Sequence, residues 1–154
     1  MHLFEENIKN LGLNIPELPK ALANYVPYKI IGKTMYISGQ APAQNGEIVY
    51  KGKVGADISV EHGIEAAKLC VINILAAVKT GLDADWNKLD SFVKLTGYVN
   101  CHDDFIDQPK IINGASDMLV EIFGDQGRHA RVAVGSNALP LGISVEIDAI
   151  VQLK

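Results

Sequence analysis

Residues 59–81 read SVEHGIEAAKLCVINILAAVKTG, and this stretch decides the class of fold. Its apolar residues recur at alternating steps of three and four, which places them along one side of an α-helix. Ser59 suits the N-cap position, and Gly81 is placed to end the helix. A helix with one apolar side buries that side against another element, so the stretch predicts a helix over 60–80 that covers a sheet.

Patterns on either side of this helix supply the rest of the architecture. A second helical pattern begins near Pro109, a favourable residue in a first turn, and runs to Gly124. Asn45-Gly46 is a strong hairpin-turn signal. The stretches with strand character are 33–38, 47–50, 92–99, 130–134 and 143–151. The resulting order, β-β-α-β-α-β-β, predicts an α+β fold built as a two-layer sandwich.

The chain length and the first residues predict the domain organisation. At 154 residues the chain has the size of one domain, which we expect to span residues 25–154. Residues 3–11 carry apolar side chains at helical spacing, and prolines interrupt the segment that follows. We therefore expect residues 1–24 to form an N-terminal extension packed on the domain.

Composition argues against several classes of function. Fourteen Lys and Arg residues against 18 Asp and Glu residues give a net charge of −4. This disfavours a nucleic-acid binder, because neutralising phosphates needs clustered basic residues. The longest apolar run, 70–78, is far too short to cross a bilayer, so no membrane association is expected. With no targeting segment recognisable and two cysteines that form no disulfide framework, the sequence predicts a cytoplasmic protein.

Two late strands carry the candidate functional residues. Alternation along 143–151 places Glu146 on the face opposite the apolar side chains, and alternation along 130–134 places Arg131 opposite two valines. A charged residue in apolar surroundings is costly unless it is paired or functional. Three interpretations remain open at this point: a structural ion pair, plain exposure to solvent, or a functional site.

The predicted sandwich also leaves one face of its sheet without helices. If that face is apolar, other copies of the chain must cover it, which predicts an oligomer. Other reactive residue types form no recognisable constellation. The four histidines lack metal-ligand spacing, so no metal site is expected. Cys101 and His102 are adjacent, and neighbours along a strand point to opposite faces, which argues against a thiolate pair.

Several short motifs occur together in a fixed order. The tail combines an arginine-led strand (ARVAV, 130–134), a Leu-Pro turn (139–140) and a strand of alternating apolar and acidic residues (VEIDA, 145–149). Upstream of it stand VPY (26–28), YISGQAP (36–42) and Ile112-Asn113 in the second helix. Together these motifs resemble the signature of the Rid family, also called YjgF, over roughly residues 25–154.

The resemblance implies a chorismate-mutase-like fold and a homotrimer with sites in the clefts between subunits. It implies hydrolysis of reactive 2-imino or enamine acids of the 2-aminoacrylate type to 2-keto acids and ammonia, without a cofactor or metal. By the same resemblance, Arg131 would bind the substrate carboxylate, and Glu146 would orient or activate the attacking water. The other residues that the resemblance places around the cleft are Tyr28, Ser38, Gly39, Asn113 and the main chain of Ala133.

The chain departs from the family pattern on both sides of Arg131. Ala133 stands where many members have cysteine, and His129 stands where proline is frequent. Residues 1–24 exceed the usual short N-terminus and match a longer sub-branch. Two other functions stay open: a non-catalytic regulatory trimer that binds small carboxylates, in which Glu146 is dispensable, and an endoribonuclease, which the net charge disfavours.

Overall fold

The computed structural model describes residues 1–20 and 23–154. Within these residues the chain forms three α-helices and seven strands, joined by turns and short 3₁₀ segments. The helices are α1 (Leu3–Asn10), α2 (Val60–Gly81) and α3 (Gln108–Phe123). The strands are β1 (Tyr28–Ile31), β2 (Thr34–Gln40), β3 (Ala43–Gln44), β4 (Glu47–Ile48), β5 (Leu89–Asn100), β6 (Ala130–Ser136) and β7 (Val145–Leu153).

Five of the strands form one sheet in the order β1-β2-β7-β5-β6. Every neighbouring pair is antiparallel except β5 and β6, which are parallel. Helices α2 and α3 pack side by side on one face of this sheet, and alternate residues of β7 from Val145 to Val151 are buried beneath them. The predicted α+β class and two-layer arrangement are thereby confirmed. Within the described ranges, no helix covers the other face.

The first hairpin of the sheet differs from the one that the sequence predicts. Strand β2 turns at Gly32 to pair with β1, a strand that sequence reasoning did not identify. The Asn45-Gly46 turn does form, with a positive φ at both residues. It joins β3 to β4, however, in a separate two-stranded ribbon that ends at Ile48 instead of residue 50. A turn signal is local, so it predicts a hairpin without indicating which sheet the hairpin joins.

Helix α2 begins and ends where the sequence predicts. Ser59 Oγ accepts a hydrogen bond from the His62 backbone N–H at 3.1 Å, which caps the helix. Gly81 is its last residue, and the chain reverses after it through positive φ values at Asp83 and Ala84. A side chain at position 81 would stand 2.5 Å from the methyl carbon of Met35. A larger residue at position 81 would therefore require the end of the Met35 side chain to shift.

The N-terminal segment contributes to the hydrophobic core. Phe4 and Ile8 on α1 are buried, and the Phe4 ring meets Phe123 of α3 edge-on with 4.8 Å between ring centroids. The Asn7 side-chain amide donates to the carbonyl of Ile122 at 2.7 Å. Residues 21 and 22 of the predicted extension lie outside the described residues. Among the helices of the described ranges, none is both long and apolar enough to cross a membrane.

The contact between α1 and α3 makes a prediction about stability. Phe4 is 6% exposed and its neighbour Leu3 is 61% exposed. Phe4→Ala should lower the free energy of unfolding by about 3–5 kcal/mol, because it removes a buried aromatic ring. Leu3→Ala should change it by about 0.5 kcal/mol or less. Urea unfolding of both variants measures the difference, and equal losses would contradict the packing of α1.

Candidate functional site

Arg131 lies on the edge strand β6 and directs its side chain toward helix α3. Its Nη1 donates to Asn113 Oδ1 at 2.8 Å and to Ser116 Oγ at 3.2 Å. Both acceptors are neutral, and among the described residues no carboxylate oxygen lies within 4.0 Å of the guanidinium. Among the described residues, no protein atom accepts a hydrogen bond from the other two guanidinium nitrogens, Nε and Nη2. The guanidinium is therefore held from one side and keeps a fork of two donors for an anion.

His129 extends this cluster away from Arg131. Its Nε2 lies 2.9 Å from Ser116 Oγ, and its Nδ1 lies 2.7 Å from the carbonyl oxygen of Gly127. Burial lowers the pKa of His129 below its ordinary value, and the charge of Arg131 lowers it further against the opposing effect of the Gly127 carbonyl. The imidazole is accordingly neutral near pH 7.

An open cleft of about 320 Å³ lies beside these groups. The residues that line it are Asn113, Ser116, Asp117, Val120, Arg128, His129 and Arg131. Arg128 is engaged with Asp125 at 3.1 Å on the exposed surface, so Arg131 is the unpaired cation of the cleft. Ala133 lies two residues farther along β6 on the same side of the strand, packed against the core. Because β6 is an edge strand, part of its main chain is free of partners in the sheet.

Glu146 lies on β7, on the face of the sheet that has no helices. Its pairing partner on the neighbouring strand β5 is Tyr98, and Asp148 follows two residues later along β7 on the same face. Burial raises the pKa of Glu146, and the negative charge of Asp148 raises it further. A carboxyl group with a raised pKa both gives and takes a proton more readily near neutral pH than an ordinary one.

Gly39 makes room for the Glu146 carboxylate. A Cβ at position 39 would stand 2.4 Å from Glu146 Oε1, so a side chain there would displace the carboxylate. The pairing of β2 with β7 is irregular at this point, between Ile37 and Gln40. The neighbouring Ser38 hydroxyl donates to the carbonyl of Val26 at 2.6 Å, which ties β2 to the segment before β1.

The residues that the family resemblance predicts for the site thus fall into separate groups within one chain. Arg131, Asn113 and Ala133 lie on the helix side of the sheet, at the β6 edge. Ser38, Gly39 and Glu146 lie around the junction of β2 and β7, with the Glu146 side chain on the open face. Tyr28 lies on β1 at the far edge, with its ring 3.2 Å from where a Cβ of Gly81 would stand.

Arg131 and Glu146 do not form the structural ion pair that was one interpretation of the sequence. Arg131 pairs in register with the buried Leu95 of β5, and Glu146 pairs in register with Tyr98. Residues 95 and 98 of β5 point to opposite faces, so the two charged side chains do as well. Each charge is left without an oppositely charged partner among the described residues.

Ser116 and His129 are cleft residues that sequence reasoning did not assign to the site. The available signal was His129, a titratable residue two positions before Arg131. Nothing in the sequence marks Ser116, because its role depends on helix α3 facing β6. Within the described residues, no group of three or more His, Cys, Asp or Glu side chains is placed to hold a metal ion.

The open face of the sheet carries several large apolar side chains around Glu146 and Asp148. Tyr36, Val132 and Val134 are 47%, 41% and 41% exposed. Tyr98 and Ile150 lie between them in a half-buried state. Large apolar side chains spread over one sheet face are typical of a surface that another protein chain covers.

The chain is similar to known proteins over nearly its whole length. A family model described as "YjgF/chorismate_mutase-like, putative endoribonuclease" matches residues 5–151. Protein TCP17 from Trypanosoma cruzi is 36% identical over 149 residues, which cover 96% of this chain and 92% of TCP17. The crystal structure of Atu1372, a protein with unknown function from Agrobacterium tumefaciens, matches with a TM-score of 0.93 and 44% identity over 99% of this chain and 93% of that one. A crystal structure from Shewanella oneidensis described as "a putative endoribonuclease" matches with a TM-score of 0.94 and 35% identity over 99% of this chain and 100% of that one.

The electrostatics of the open face can be tested directly. Asp148→Asn removes a negative charge beside Glu146, so the pKa of Glu146 should fall while staying above its ordinary value, since burial is the larger cause. Titration of the Glu146 carboxyl carbon by NMR measures the change. Asp90→Asn serves as the control, because it removes the same charge at the exposed start of β5 and should leave the pKa of Glu146 unchanged. An unchanged or higher pKa in Asp148→Asn would show that the two carboxylates do not interact.

Proposed function

Because the chain belongs to the YjgF/chorismate-mutase-like family, the Rid family, we propose that it hydrolyses small 2-imino acids to 2-keto acids and ammonia. The observation that carries this proposal is the unpaired Arg131 guanidinium beside an open cleft. Its free Nε and Nη2 match the two oxygens of a carboxylate, the group that distinguishes an amino-acid-derived imine from a neutral one. Asn113 and Ser116 fix the fork in place before the ligand arrives, which reduces the entropy lost on binding.

Glu146 supplies the proton chemistry of the proposed reaction. The oxygen of a water molecule bonds to the carbon of the protonated imine, and Glu146 takes the proton that the water loses. The same carboxyl group then gives that proton to the amine nitrogen. As the carbon–nitrogen bond breaks and ammonia leaves, the hydroxyl proton of the intermediate passes back to Glu146 and the carbonyl forms. The raised pKa of Glu146 suits both roles.

This chemistry requires a site built from two copies of the chain. Arg131 and Glu146 point to opposite faces of one sheet, so one copy cannot bring both to one substrate. An oligomer in which the open face of one copy lies near the β6 edge of its neighbour would unite them and would cover the apolar side chains of that face. We propose that this oligomer is a homotrimer, in keeping with the family.

Carboxylate binding without turnover is the second candidate function. It is favoured by the separation of Glu146 from the Arg131 cleft within one chain, since binding needs Arg131 alone. Endoribonuclease activity, which the family description and the Shewanella structure name, has less support in this chain. The net charge of this chain is −4, whereas binding a phosphate backbone requires clustered basic side chains.

Substitutions at Arg131 and Glu146 separate these functions. Arg131→Ala should weaken carboxylate binding by about 10- to 100-fold, because it removes a contact worth about 1.5–3 kcal/mol. Arg131→Lys keeps the charge without the planar fork, so it should retain only part of the binding. Glu146→Gln should lower turnover by about 10²-fold while a 2-keto acid still binds. Imino acids generated in situ by an amino-acid oxidase and trapped with semicarbazide give the rate.

Two charge-matched variants serve as controls. Lys33→Ala and Glu47→Gln remove one positive and one negative charge at exposed positions outside the cleft and should leave turnover near that of the wild-type protein. Imine hydrolysis that survives both Arg131→Ala and Glu146→Gln would contradict the proposed function. Carboxylate binding without any wild-type turnover would favour the regulatory binder.

A further inference from the structure

Ser116 behaves differently from an ordinary hydroxyl residue inside a helix. Such a side chain commonly bonds back to the carbonyl four residues earlier, as Thr80 does in α2, where its Oγ1 donates to the Ala76 carbonyl at 2.9 Å. Ser116 lies in the middle of α3, and its hydrogen bonds go across to β6 and the turn before it. Its Oγ lies 2.9 Å from His129 Nε2 and 3.2 Å from Arg131 Nη1.

The hydrogen bond between His129 and Gly127 fixes which imidazole nitrogen carries the proton. A carbonyl oxygen can only accept, so Nδ1 carries the proton and donates to Gly127. In the neutral imidazole Nε2 is then a lone-pair acceptor, and the Ser116 hydroxyl donates to it. Burial and Arg131 lower the pKa of His129, which keeps this form dominant near neutral pH. A hydroxyl that donates to an imidazole held by a third group is the arrangement that activates a serine.

Arg131 adds to this activation. A hydroxyl oxygen that accepts from a guanidinium is stabilised as it loses its proton, because the positive charge favours the alkoxide. Asn113 gives only its oxygen to Arg131, so its amide nitrogen is left to donate into the same cleft. A nucleophile, a base and donors for a developing oxyanion therefore lie around one solvent-open space of about 320 Å³.

We propose that Ser116 is the nucleophile of a second activity, in which His129 is the base and Arg131 anchors the substrate, and which hydrolyses esters or thioesters of small dicarboxylic acids. Arg131 selects substrates that carry a free carboxylate. Because Arg131 Nη1 and Ser116 Oγ are only 3.2 Å apart, the acyl carbon must lie a few bonds from that carboxylate. Half-esters and half-thioesters of succinate have this spacing.

The reaction balances with water as the only co-reactant. The Ser116 proton moves to His129 Nε2 while Oγ bonds to the acyl carbon, and the leaving alcohol or thiol departs with that proton. Water then gives a proton to Nε2 as its oxygen bonds to the acyl carbon. The bond to Ser116 Oγ breaks, and Oγ recovers the proton from His129. The products are a dicarboxylic acid and an alcohol or thiol.

This activity shares Arg131 with the proposed imine hydrolysis and uses neither Glu146 nor a second copy of the chain. The two activities are therefore separable by experiment.

The test uses the full-length protein and the succinyl thioester of N-acetylcysteamine, with the butyryl thioester as the uncharged counterpart. The wild-type protein should release thiol from the succinyl probe faster than from the butyryl probe. It should also carry one succinyl group on Ser116, located by peptide mass spectrometry after rapid quenching. Ser116→Ala should abolish the adduct, and His129→Asn should lower its rate of formation by about 10²-fold.

A surface serine provides the control. Ser91→Ala removes a hydroxyl that donates to the adjacent Asp90 at 2.9 Å, and it should leave the adduct and the thiol release unchanged. Absence of a succinyl group on Ser116 in the wild-type protein overturns this inference, and so does thiol release that persists in Ser116→Ala. A protein that hydrolyses imino acids but acquires no adduct contradicts this inference alone. A protein that acquires the succinyl group on Ser116 but hydrolyses no imino acid contradicts only the proposed function.

Discussion

The register of β5 with its two neighbours fixes where the charged groups of this molecule lie. Its parallel pairing with β6 places Arg131 beside the buried Leu95, and its antiparallel pairing with β7 places Glu146 beside Tyr98. Since side chains alternate along a strand, the arginine faces α3 and the glutamate faces away from it. A one-residue shift in either pairing would reverse one of them. The cleft and the open face follow from this register, and the proposed function needs a second copy of the chain for the same reason.

Both charged groups are incompletely compensated in the single chain. Arg131 has two neutral acceptors and no carboxylate in reach, and Glu146 lies half-buried beside a second carboxylate. Such arrangements cost stability unless a ligand or a partner chain completes them. The apolar side chains around Glu146 also favour a partner chain. They are exposed to water in one copy and would be buried in an oligomer.

Sequence reasoning recovered the parts of the fold that depend on periodicity, such as helix α2 and the alternation along β7. It missed β1 because four residues after Pro27 give too short a pattern, and it assigned Asn45-Gly46 to the main sheet because a turn signal carries no information about pairing. Helix α2 ends at Gly81 as predicted, and the positive φ values that reverse the chain lie two and three residues later, at Asp83 and Ala84. Arg131 and Glu146 emerged from strand alternation and family resemblance. Which strands are neighbours in the sheet determines how these two side chains are separated and which groups Ser116 bonds to. Spacing along the chain does not specify the strand order.

The proposed function requires that Arg131 of one copy and Glu146 of another act on the same substrate. Arg131→Ala and Glu146→Gln protein, each of low activity alone, should be mixed in equal amounts, then unfolded and refolded together so that subunits exchange. The refolded mixture is assayed for imine hydrolysis. We expect recovery to about a quarter of wild-type activity, because in random mixtures about that share of sites draws both intact residues from neighbouring copies. A refolded mixture of wild-type oligomeric mass that is no more active than the separate variants would contradict the claim.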